Sequence, residues 1–130
     1  MREIKFRAWD NRNKFMHDWD SLKSTWKFSA IETHEFLTFL QYTGLKDKNG
    51  REIYEGDVVE ERWHNPLAGG QNVDRYEVTL APSTLYIMKH SSGEQRWDRT
   101  LFMRGNHVEV IGNIYDNPEL LNHPKDKTRS

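Results

Sequence analysis

"TGLKDKNGREIYEGDVVEERW" (residues 43–63) decides the reading of this chain as a β protein. Asn49-Gly50 is the favoured pair for a type I′ hairpin turn, which needs positive φ at both central residues and matches the twist of paired strands. Glu55-Gly56-Asp57 marks a second corner, where Gly56 supplies φ > 0 and the Asp57 carboxylate is placed to accept backbone amides. Residues 58–63, "VVEERW", then read as a strand.

Working outward, residues 3–9 alternate, with Ile4, Phe6 and Ala8 on one face and Glu3, Lys5 and Arg7 on the other. "DNRNK" (10–14) is turn chemistry, and "FMHDWD" (15–20) reads as the returning strand. "TWKFSA" (25–30) alternates again. Residues 31–38 are open between helix and strand: Phe36, Leu37, Phe39 and Leu40 sit at helical spacing, and Ser29 with Glu32 has the form of a capping box. A strand ending near Tyr42 follows.

Toward the C-terminus, "HNPLAGGQNVD" (64–74) reads as a long loop, and residues 75–81, 84–90 and 99–103 as strands. "HVEVIGNIY" (107–115) is a further strand, in which Gly112 signals a bulge or a close backbone approach. Asn117 suits a helix N-cap and Pro118 the first helical position, so a helical turn is expected over 116–121. Many short strands separated by turn signals predict an all-β fold.

Composition narrows the function. The chain has 130 residues, no cysteine and a formal charge of −1. That rules out disulfides, thiolate metal sites and thiol nucleophiles. It also removes any global field toward nucleic acid or membrane, so binding either one requires a local patch. Aromatic residues make up 12% of the chain, which argues against disorder. The N-terminus lacks the apolar run of a signal peptide, and no stretch approaches the roughly 20 apolar residues of a membrane span. A cytoplasmic location without membrane contact is expected.

Site motifs are sparse. Asp18 and Asp20 are too few oxygen ligands for a divalent cation, and His34-Glu35 lacks the second histidine of a zinc-protease helix because position 38 is Thr. No Ser/His/Asp set is recognisable from residue order, and Ser83, Ser91 and Ser92 sit in turn-like contexts. Neither catalysis nor a cofactor nor a metal is expected. The one local cluster is "MKHSSGEQRWDR" (88–99), where Lys89, Arg96, Trp97 and Arg99 combine cations with a ring able to stack on an unpaired base. Glu94 and Asp98 dilute it, and a buried Trp97 among solvated charges is the plainer reading.

Three blocks resemble the YopX-like proteins of bacteriophages and prophages: "IKFRAWD" (4–10), "YTGLKDKNGREIYEGDVV" (42–59) and "EVIGNIYDNPELL" (109–121). The resemblance implies two small β subdomains, an N-terminal one over 1–42 and an SH3-like barrel over 43–122, followed by a polar tail over 123–130. It carries over no catalytic residues. It implies a non-catalytic phage accessory protein in the bacterial cytoplasm. Such a protein would act as a binding module through protein–protein contacts with phage or host proteins and through homo-oligomerisation. Single-stranded nucleic-acid binding through Lys89, Arg96, Trp97 and Arg99 is the rival reading.

Overall fold

The structure, a computed structural model, describes residues 4–25, 36–65, 67, 69–81 and 85–122. Two antiparallel sheets organise these residues, in agreement with the all-β fold that the strand signals predict. The first has the order β2-β1-β3-β4, built from β1 (Phe6–Asp10), β2 (Phe15–His17), β3 (Leu37–Lys46) and β4 (Glu52–Tyr54). The second has the order β8-β7-β6-β5-β9, from β5 (Asp57–Asn65), β6 (Gly70–Leu80), β7 (Tyr86–His90), β8 (Arg99–Thr100) and β9 (Glu109–Asn113).

β3 pairs with β1 over Leu37–Gln41 and with β4 from Tyr42 to Lys46, where the register shifts. Lys5 pairs with Glu52 at 2.6 Å, and the Arg7 guanidinium pairs with the buried Asp57 carboxylate. β1 thereby contributes charges to the β4–β5 corner. Trp9 stacks on Tyr115 with ring centroids 5.5 Å apart, so β1 is covered on both faces. Its Ala8, Trp9 and Asp10 are all buried, whereas Ile4, expected on the inward face, is 67% exposed.

Residues 15–20 are not one strand. β2 stops at His17, and helix α1 (Trp19–Thr25) begins behind Asp18, whose Oδ1 accepts the Ser21 N–H at 2.8 Å. An aspartate at that position favours a helix start, and this overrides the local alternation. Residues 26–30 and 31–35 lie outside the described residues, while Leu37 and Thr38 belong to β3.

The Asn49-Gly50 turn is also corrected. Among the described residues Lys14 is the sole non-glycine with positive φ, so Asn49 does not adopt the type I′ geometry. Gly50 N–H donates to the Asp47 carbonyl at 3.0 Å, Asp47 N–H donates to the Arg51 carbonyl at 2.8 Å, and Gly50 has φ +84°. This is a type I turn closed by a left-handed glycine. The cause is Asp47, whose Oδ1 accepts the N–H groups of Asn49 and Arg51, each at 2.9 Å, and so holds the loop from inside. Its Oδ2 accepts the Val110 N–H at 2.8 Å, which ties the hairpin to β9.

Residues 64–74 are not a loop. β5 and β6 stay paired from Val58↔Glu77 out to Asn65↔Gly70, and the described Leu67 and Gly69 between them are turn residues. β9 leaves β5 at Glu60, and β7 leaves β6 at Tyr76. Beyond those points, among the described residues, the two strands form an arm paired with itself. The expected strand at 99–103 is likewise shorter: only Arg99 and Thr100 pair, after which Leu101–Arg104 forms a helical turn, α2, with Leu101 buried. Leu101 joins Ile53, Val59, Val78, Met88 and Val108 in the main core. Gly112 sits at the register shift in β9 as expected, because a Cβ there would meet Asn117 Oδ1 at 2.5 Å. The 3-10 turn Pro118–Leu121 supplies the C-terminal helical turn, and the polar tail 123–130 lies outside the described residues.

Candidate functional site

The base of the arm meets the β7–β8 turn in a chain of polar and aromatic side chains. Strand alternation puts Trp63 and Asp74 on the same side of the arm as the buried Val59 and Tyr76. Trp63 Nε1 donates to Asp74 Oδ2 at 2.9 Å, and Asp74 Oδ1 lies 2.9 Å from His90 Nε2. His90 Nδ1 lies 2.8 Å from Ser92 Oγ and accepts the Ser92 backbone N–H at 3.1 Å. These partners place the ring proton on Nε2, pointing at Asp74. The His90 ring meets Tyr76 edge-on at 5.3 Å and lies 6.4 Å from Trp97. Burial pushes the Tyr76 hydroxyl up to about 12, with Asp74 and Glu61 adding to the effect.

Ser92, His90 and Asp74 are therefore linked as nucleophile, base and orienting acid would be, an arrangement that residue order did not reveal. The local amides are already engaged. Ser92 N–H is on His90, Gly93 N–H is on the His90 carbonyl at 3.0 Å, and Glu94 N–H is on Ser92 Oγ at 3.1 Å. None of these three is left to stabilise an oxyanion, the largest requirement of acyl transfer. The linkage braces the turn and anchors the Trp63 indole through Asp74. Trp63 and Trp97 are each 42% exposed.

The four residues singled out from the sequence separate into two sets. Arg96 is exposed, stacks its guanidinium 5.1 Å from the Trp97 ring centre and pairs with Glu94 at 3.3 Å. Arg99 donates to the carbonyls of Arg96 at 3.3 Å and Asp98 at 3.0 Å, and forms no ion pair among the described residues. Arg96, Trp97 and Arg99 are thus brought together. Lys89 lies opposite Glu77 and alternates away from Met88 and His90, so it faces the other side of the sheet. Burial raises the Glu77 carboxyl, and the Lys89 charge partly offsets this.

Sequence reasoning missed Trp63 as a participant; Phe102 and Met103 are exposed on the neighbouring α2. The Arg104–Glu61 ion pair holds α2 against the arm. Residues 58–63 read as a strand, but the partner that fixes the Trp63 indole, Asp74, lies in the stretch read as a loop. Among the described residues no group of three or more His, Asp or Glu side chains converges to hold a metal, and no helix is long and apolar enough to cross a membrane.

Two antiparallel sheets, a hairpin arm and an aromatic turn braced by Asp74 and His90 define a small all-β protein. The chain belongs to the YopX protein family, whose profile matches residues 5–122. It is similar to the crystal structure of protein EF1440 from Enterococcus faecalis, with 26% identity and a TM-score of 0.57, covering 93% of this chain and 99% of that one. No curated protein matches.

Proposed function

We propose that this protein is a non-catalytic phage or prophage accessory module that works through protein–protein contacts. The observation that carries this reading is the make-up of the face between arm and turn. It displays Trp63 and Trp97 beside Arg96, Arg99 and Arg104, and the exposed Phe102 and Met103 share α2 with Arg104. Trp, Phe, Met and Arg are the types enriched at protein interfaces. The acids Glu61, Asp74, Glu94 and Asp98 intersperse these cations, so the face lacks the uniform positive field of a nucleic-acid groove. An SH3-like closure of the second sheet, with the face at its rim, fits this reading.

Light scattering over a concentration series, together with affinity capture from phage-infected cells, tests the proposal. Self-association or a defined protein partner, lost on Trp97→Ala, is the expected result. A strictly monomeric protein with no captured partner overturns it. The Arg96 guanidinium stacked on a half-exposed Trp97 favours single-strand binding as a second reading. That reading requires affinity for an oligo(dT) strand that falls with added salt and is lost on charge reversal at Arg96 and Arg99.

A further inference from the structure

Among the described residues the arm has an open edge on the β7 side of β6. Ser91 N–H donates to the Arg75 carbonyl at 2.9 Å, so Arg75 turns its main chain toward the β7 side; Gly56 N–H reaches the Val78 carbonyl on the opposite side. Alternation then turns Val73 the same way as Arg75. β7 has ended at His90, opposite Tyr76, and nothing among the described residues continues its line past Val73. Val73 therefore presents an amide and a carbonyl outward beside the Trp63–Asp74–His90–Trp97 row. Spacing of this kind accepts one more extended strand.

We propose that this edge of β6 accepts an extended acidic segment of a partner protein as an added strand. The segment's apolar side chains lie between Trp63 and Trp97, and its carboxylate reaches Arg96 and Arg99. The inference rests on the protein-binding reading above and names the partner's chemistry. The charge follows from Arg99, whose hydrogen bonds go to carbonyls only, and from Arg96, whose exposed pair with Glu94 is readily exchanged. A second copy of the arm fits less well: the carboxylates it would bring, Glu60, Glu61 and Asp74, already hold Arg62, Arg75, Arg104, Trp63 and His90.

Selection from a library of random linear peptides on the wild-type protein, on Val73→Pro and on Arg99→Glu tests the proposal. Proline at position 73 removes only the outward N–H and leaves the rungs to β5 in place. The wild type is expected to enrich peptides that alternate β-branched or aromatic residues and carry Asp or Glu. Their affinity should fall about tenfold or more in each variant, as the loss of one such contact implies. Absence of enrichment on the wild type overturns the proposal, as does equal binding to a Val73→Pro variant with unchanged melting. Enriched basic peptides, or oligo(dT) competing for the same face, overturn it as well. If Val73→Pro keeps a partner captured from infected cells, this inference fails while the protein-binding reading stands. If the wild type captures and self-associates with nothing, that broader reading fails.

Discussion

Asp47 shows how one side chain sets the course of a loop. Burial alone would raise its carboxyl, yet the N–H groups of Val110, Arg51 and Asn49 hold it below the ordinary 3.8. A carboxylate depressed in the folded state stabilises the protein above its unfolded pKa, and that contribution is lost as pH falls through the folded value. Stability should therefore decline below about pH 3.8, and Asp47→Asn should flatten that decline. At neutral pH the same variant should lose about 3 kcal/mol in urea unfolding, because three amides lose a charged acceptor. Asp10 acts alike: burial opposes ionisation, but hydrogen bonds from Asn13, His17 and Arg12 hold its carboxyl far below the usual range. Gly112→Ala should cost about 1–3 kcal/mol by melting, since the new methyl meets Asn117 and Leu120 Cδ1, the latter at 2.8 Å. Gly112 was legible in the sequence because close approach leaves glycine as a trace. Asp47 was not, because its partner Val110 is remote in the chain.

At the scale of elements, alternation located the strands and turn chemistry misplaced their ends. Asn65, Gly69, Gly70 and Asn72 look like loop residues, but cross-strand pairing continues through most of them. Turn-forming residues within a hairpin arm mark its weakness rather than its end. A two-stranded ribbon is marginal in water, and here Trp63, Asp74 and His90 brace its base. Asp74→Ala should release both partners. The expected outcome is faster amide exchange over 61–65 and 70–74 with little change in the global melt, measured by hydrogen exchange. The basic cluster was half legible. Arg96, Trp97 and Arg99 converge because they flank one 3-10 turn, whereas strand parity, invisible in a charge count, removes Lys89.

Across the whole molecule, the all-β class followed from strand spacing, while the division into two sheets and the connection between them did not. β3 serves both halves of its sheet, and the ion pairs Lys5–Glu52 and Arg7–Asp57 link distant parts of the chain. Burial raises the Asp57 carboxyl, and Arg7 is the main influence lowering it. Arg7→Ala should therefore leave a buried acid without its cation and cost about 3 kcal/mol, read from chemical unfolding. Unfolding should be a single transition, with tryptophan fluorescence and far-UV circular dichroism coincident. Separate midpoints would contradict that expectation.

The continuity of β3 also bears on inheritance. A recombination breakpoint inside residues 37–46 would give each descendant half of a strand, with a register shift at the seam. Genes encoding this fold should exchange their segments on either side of that strand and retain it as a single inherited piece.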